Sequence, residues 1–239
     1  MSMRIVSFTA QKGGVSKTST GLGLACAASR EGLRVAVLDL DPQASAAEWG
    51  AGRTTWPGVS QLNSAQSLPD ALNAARRQKL DWLVLDTPPR ADALVGQVAA
   101  ISDLIVVPTA PAILDVRAIR PTLSALWRAG AHTRSHLLLT LCPPRTNPGA
   151  DPPSVVATRL ALDEAYGTYF RIAPVRITRY EGVKAALERS CTVIESEPQS
   201  KAAAELMALY SYVRDALSGT ASDAGLRFSE APGINGIRP

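Results

Sequence analysis

Short apolar runs alternate along the chain with longer stretches of helical spacing. Runs over 5–9, 35–40, 83–86, 104–108, 136–141 and about 169–173 read as strands. Several are apolar at consecutive positions, as expected of strands buried on both faces of a parallel sheet. Helix patterns lie between them, over 17–31, 68–78, 115–129, 154–166 and 199–217. In the last of these, Leu206, Leu209, Tyr210, Val213 and Leu217 share one face. Ser200 is placed to cap its start, and Gly219 stands just past its end. The alternation predicts an α/β fold: a doubly wound, mostly parallel sheet with helices on both faces.

The pattern fills 1–218, read as one domain. From 219 to 239 it stops, and a Gly-, Ser-, Ala- and Pro-rich sequence predicts a flexible tail. Residues 142–153 hold five prolines and a glycine, marking a loop after a strand, at the sheet edge where open α/β folds bind ligands. Composition changes this picture little. With 46% hydrophobic and 19% charged residues, the 239-residue chain is globular rather than disordered. No apolar run approaches the ~18 residues of a membrane span, and the first residues lack the pattern of a signal peptide. Cys26, Cys142 and Cys191 are scattered without metal-ligand spacing, so a reducing cytoplasm is expected rather than a disulfide framework or a zinc site.

Charge is uneven. Residues 1–116 balance ten Lys/Arg against ten Asp/Glu, whereas 117–189 carry eleven against five, ten of the eleven being Arg. An excess of this kind in a chain of net charge +4 suits an anionic partner, nucleic acid first. A plainly solvated surface fits composition equally well.

The densest chemistry follows the first strand: Gln11-Lys12-Gly13-Gly14-Val15-Ser16-Lys17-Thr18-Ser19. A strand, a glycine-containing loop and a helix start together aim backbone N–H groups and a positive dipole end at a phosphate. Lys17 is placed for the β- and γ-phosphates and the Thr18 hydroxyl for Mg²⁺. The ordinary G-x-x-x-x-G-K-[ST] loop would need glycine where Gln11 and Ser16 stand, and here an additional lysine, Lys12, opens the motif. Two further segments follow in order: Asp39-Leu40-Asp41-Pro42-Gln43 after the second strand and Leu85-Asp86-Thr87-Pro88-Pro89 after the strand at 83–86. Asp39 and Asp41, two apart, share a strand face at the ligand edge.

K-G-G-x-x-K-T with D-x-D-P-Q and L-D-T-P-P resembles the deviant Walker ATPases of the ParA/MinD type. The likeness covers about 3–217 and is nearest the short partition ATPases, with Ser45 to Trp49 and the closing 200–206 segment fitting as well. It implies a P-loop NTPase fold, ATP and Mg²⁺ as cofactors, and a homodimer when ATP-bound. Lys12, Lys17 and Asp41 would be catalytic, Lys12 reaching phosphates bound by the partner subunit and Asp41 orienting water. Lys12, Gly13, Gly14, Val15, Ser16, Lys17, Thr18 and Ser19 would contact the nucleotide, with Pro174 near its base; Arg145, by its own place after a strand at the ligand edge, is expected to touch the base as well. Thr18, and Asp86 through water, would hold the metal. Arg171, Arg176, Arg179, Lys184 and Arg189 fall where relatives carry a surface for nonspecific DNA.

A ParB-type adaptor would stimulate hydrolysis, in a cytoplasmic, nucleoid-associated protein. No membrane partner is expected, because the tail lacks a basic amphipathic helix, and no helix-turn-helix precedes Lys12. Four other readings stay open: an ATP-dependent metabolic ligase or synthetase, a positioning ATPase for a non-DNA cargo, an iron–sulfur electron donor, and a binding module with little hydrolysis. His132 and His136 are read as structural, and Trp49, Trp56, Trp82 and Trp127 as packing.

Overall fold

The computed structural model describes residues 2–62, 67–89, 92–146 and 149–219. Its elements are β1 (Arg4–Phe8), α1 (Lys17–Arg30), β2 (Val35–Asp39), α2 (Ser45–Gly50), β3 (Gly58–Gln61), α3 (Leu68–Arg77), β4 (Trp82–Asp86), α4 (Asp92–Ile101), β5 (Leu104–Thr109), α5 (Ile113–Ala118), α6 (Arg120–Arg128), β6 (Ser135–Cys142), α7 (Pro153–Tyr166), β7 (Arg171–Thr178), α8 (Glu181–Leu187), α9 (Val193–Ser196) and α10 (Lys201–Ser218). The strands form one parallel sheet in the order β3-β2-β4-β1-β5-β6-β7. The expected doubly wound α/β architecture is therefore present. Except for Gly219, the tail expected over 219–239 lies outside the described residues.

Consecutive apolar residues in the central strands reach opposite faces, and each face is covered. Val6, Phe8, Val37, Val84 and Val106 pack under α1, α9 and α10. On the other face Leu38, Leu83 and Leu85 pack against α3, and Ile105, Val107, Leu137 and Leu139 against α4 to α7. Helix α10 is bounded as its sequence predicts. The Ser200 hydroxyl accepts from the Ala203 amide at 3.1 Å, and Gly219 ends the helix at φ 72°, a left-handed turn that glycine adopts without strain.

Four features differ from the pattern. The stretch 115–129 is two helices, α5 and α6, divided next to Pro121, whose nitrogen carries no hydrogen to donate. Helix α4 is a ten-residue element that the sequence reading left out. The short α2 and β3 are set by tertiary contact: a Cβ on Gly50 would overlap the Val59 side chain, so helix and strand touch where glycine stands. The last strand runs Arg171–Thr178, further than 169–173, and includes Pro174. It is an edge strand, where a proline is tolerated, and its register against β6 slips between Leu137 and Leu139, opposite the proline.

Candidate functional site

Strand register assembles the site. Phe8, Asp86 and Asp39 lie in one row across β1, β4 and β2, so the phosphate-type loop and both acidic segments leave the sheet at one edge. The loop is tethered from two sides. The Gln11 amide donates to Thr122 Oγ1 at 3.1 Å, and Thr140 Oγ1 donates to the Val15 carbonyl at 3.0 Å. Gly14 has φ 72°, and a Cβ there would meet nothing within 4 Å. Ser16, whose Cβ disfavours such geometry, also sits left-handed at φ 59° and ψ 34°, and its hydroxyl pairs with Thr20 Oγ1 at 2.9 Å. The Ser16 side chain does not cap α1, and the helix's first turn holds no acidic residue, which leaves its N-terminal amides, among the described residues, to whatever enters the cavity in front.

That cavity, about 660 Å³, is lined by Gly13, Gly14, Lys17, Thr18, Asp41 and Trp49, among others. Lys17 is 7% exposed, and its ammonium reaches the Lys12 carbonyl only at 3.4 Å. Burial pulls its pKa down, against the charges of Asp86 and Asp41, which raise it. Thr18 Oγ1 donates to Asp86 Oδ2 at 2.6 Å, while Asp86 Oδ1 is buried without a hydrogen-bond partner among the described residues. Burial pushes the Asp86 carboxyl up to about 7, opposed by the Thr18 hydrogen bond. A buried cation with a weak partner beside a half-satisfied carboxyl is an arrangement completed by an anion and a cation together.

Asp39 has a different task from Asp41. Fully buried, its carboxylate accepts from the amides of Asp41 at 2.9 Å, Ala46 at 2.9 Å and Ala47 at 3.0 Å. It therefore fixes the turn that carries Asp41 to the cavity wall and starts α2. Lys12 is not on that wall. Its ammonium pairs with Oδ1 of Asp115, a 6%-exposed residue of α5. Sequence reading missed this partner, and the only available signal was an acidic residue four positions beyond Pro111 on the same sheet edge.

A second, mainly apolar cavity of about 320 Å³ adjoins the first and shares Ser16, Ser19, Lys184 and Leu187 with it. Its further walls include Leu141, Ile177, Tyr180 and Leu206. Pro174 and Arg145, the two residues named for contact with a base, are not among its walls. Pro174 lies within β7, its carbonyl facing Arg159 Nη2 at 3.5 Å, and Arg145 pairs with Asp151 at 2.8 Å. Residues 177–181 line this cavity.

The five basic residues expected on one DNA surface are not together. Arg176 is 4% exposed, donating to the Pro143 carbonyl at 3.0 Å and to Thr178 Oγ1 at 2.9 Å, so it is a buried brace. Arg171 begins β7 at the sheet edge opposite the phosphate loop. Arg179, Lys184 and Arg189 are exposed on the loop's own side. Among the described residues no cluster of three or more His, Cys, Asp or Glu side chains is arranged to hold a metal, and no helix is long and apolar enough to cross a membrane.

Comparison with known proteins accords with this geometry. Residues 6–204 match the family described as the CobQ/CobB/MinD/ParA nucleotide binding domain. The maintenance of carboxysome distribution protein A of Gloeobacter kilaueensis is 36% identical over 147 residues, 60% of this chain but only 65% of that protein. The chromosome-partitioning ATPase Soj of Thermus thermophilus is 30% identical over 168 residues, 57% of this chain and 67% of that one. An ATP complex of a Cyanothece McdA variant superposes with a TM-score of 0.65 at 19% identity, covering 90% of this chain and 96% of that one. Cobyrinic acid a,c-diamide synthase of Mycobacterium smegmatis, with an ATP analogue and magnesium, gives 0.67 at 19% identity, covering 89% and 94%. The chain belongs to the CobQ/CobB/MinD/ParA nucleotide binding domain family.

Proposed function

We propose that this protein is a ParA-like ATPase that pairs around ATP and Mg²⁺ and uses the pairing to position a cargo. The observation that carries the reading is the different placement of two lysines of one loop. Lys17 is buried in the cavity wall, whereas Lys12 stands outside it, its side chain 44% exposed. A lysine outside its own pocket on the ligand edge would reach a triphosphate held by a second copy by leaving Asp115.

The residues present fit the cofactors. The orphaned Asp86 Oδ1 and the Thr18 hydroxyl suit a hydrated divalent cation, and the open Gly14, the uncapped α1 and Lys17 suit a triphosphate. Bound Mg²⁺ would offset negative charge at the phosphates. Lys17 would hold the terminal phosphates, Lys12 would add its charge from the partner subunit, and Asp41, steadied by Asp39, would orient the attacking water. Arg179, Lys184 and Arg189 are the residues we assign to nonspecific DNA, and a ParB-type adaptor would prompt hydrolysis and release.

A second reading differs only in cargo. The relative at 36% identity is named for carboxysome distribution, so the same cycle would serve a non-DNA assembly while keeping DNA as the track. The likeness to the diamide synthase, at 19% identity, is one of fold and lends a metabolic role no support. The test is sedimentation of the full chain with ATP, a non-hydrolysed analogue or ADP, with and without nonspecific duplex DNA. ATP and the analogue should give a dimer that retains DNA, and retention should fall steeply with salt. Equal DNA retention with ADP would refute the switch.

A further inference from the structure

Two walls enclose the phosphate cavity from opposite parts of the chain. Ser45, Glu48 and Trp49 come from α2, and Lys184, Leu187, Glu188 and Ser190 from α8 and the turn after it. Arg53, just beyond α2 and outside the lining, ties them together. Its guanidinium stacks on the Trp49 ring, 4.3 Å from the centroid, with a side chain only 8% exposed. Nη1 donates to the Ser190 carbonyl at 2.7 Å, and Nη2 to Glu195 Oε1 at 2.7 Å. Trp49 Nε1 adds a bond to the Cys191 carbonyl at 3.3 Å.

Glu195 is itself built in. It closes the capping box of α9 through the Thr192 amide at 2.8 Å, and Cys26 of α1 donates to it at 3.6 Å. Burial alone would raise its pKa, but the Arg53 hydrogen bonds and the Thr192 amide outweigh burial and the net shift is downward. A planar fork on a carboxylate and a carbonyl, stacked on an indole, is geometry a lysine does not reproduce. Arg189, one of the exposed cations, is the neighbour of the gripped Ser190.

We propose that Arg53 is a positioning residue that carries movement of the α2 wall to α9 and the Arg189–Ser190 turn, so that filling the phosphate cavity is felt on the face bearing the exposed cations. The coupling rests on the nucleotide reading above. Its special feature is that residues 191–196, which do not line the cavity, should respond to what enters it.

The test is amide hydrogen exchange on the full chain with and without ATP and Mg²⁺. In the wild type, ATP should slow exchange at 12–19, 45–50 and 191–196. In Arg53→Met the first two should persist, with ATP affinity within about threefold, while the ATP-dependent slowing at 191–196 falls by at least about threefold. Arg53→Lys should restore less than half of it, and Glu195→Gln, which keeps Arg53 itself, should weaken it in the same direction. Unaltered slowing at 191–196 in Arg53→Met and Glu195→Gln would overturn the coupling. So would a wild type that slows at 12–19 but not at 191–196, or an Arg53→Met protein that folds but loses all three responses together. A wild type without any response at 12–19 would instead remove the nucleotide reading, and this coupling with it.

Discussion

Two substitutions that delete the same ion pair should differ in effect, because Lys12 and Asp115 sit in different surroundings. The lysine side chain is 44% exposed and the aspartate 8%. Removing Lys12 leaves a carboxylate in a dry setting, whereas removing Asp115 lets the ammonium swing into water. Losing one partner of a fully buried pair costs about 3–5 kcal/mol, and an exposed pair contributes about 0–1 kcal/mol. With one partner half in water, Lys12→Ala should cost ~1–3 kcal/mol and Asp115→Asn less than ~1 kcal/mol.

The double variant should recover most of the larger loss, since a neutral amide in place of the buried carboxylate needs no cation. Urea unfolding of the nucleotide-free chain measures all three, provided the slope m is unchanged. Equal losses from the single variants, or strict additivity in the double, would refute the argument. The pair also opposes association if Lys12 must leave Asp115 to reach a partner's phosphates. Releasing ~0.5–1 kcal/mol in each subunit would strengthen dimerisation of Asp115→Asn by about 5–30-fold with a non-hydrolysed ATP analogue. Sedimentation equilibrium reads this directly, and an unchanged dimer constant would show that Lys12 does not move on pairing.

Three more outcomes follow from the same contacts. Asp39→Asn deprives the Asp41, Ala46 and Ala47 amides of a full carboxylate, so kcat for ATP hydrolysis should fall at least about tenfold with KM changed less than about threefold, and a KM effect alone would count against it. His136, bonded to Tyr212 Oη at 2.8 Å, is drawn down to about 4 by burial and then by the Arg171 charge. A histidine with a depressed folded pKa contributes stability above its unfolded value of about 6.5 and loses it as pH falls towards 4. Urea midpoints between pH 6.5 and 4 should therefore decline less steeply in His136→Gln, and equal slopes would refute this. Gly50→Ala should lower stability by ~1–3 kcal/mol in thermal or urea unfolding, against the usual gain from alanine at a helical glycine, because the new methyl overlaps Val59.

The sheet was legible because its strands repeat one signal, apolar runs that stop at a common edge. The acidic residues ending two of them marked the site, and the register places Asp39 beside Asp86. What escaped was everything fixed by distance in the chain. Asp115 and Lys12 are 103 residues apart, and Arg53 and Glu195 are 142 apart. No local pattern records such pairs. Charge counting grouped cations that the fold separates, for a related reason. Arg171 and Arg179 belong to one basic stretch in sequence, yet a strand carries them to opposite edges of the sheet. Arg176 between them turns inward where β7 shifts register past Pro174. Net charge along a sequence names a partner class only after topology has said which cations share a face.

Ser16 shows the converse, a departure from the expected residue type that does not prevent a left-handed backbone. A left-handed residue ahead of a helix is supplied most readily by glycine. The serine adopts that conformation anyway, at φ 59°, and for an L-residue the strain is ~1–2 kcal/mol. Its hydroxyl bond to Thr20 returns ~0.5–1.5 kcal/mol, so strain and bond nearly cancel. The loop therefore reaches the uncapped start of α1 through a left-handed residue without the glycine.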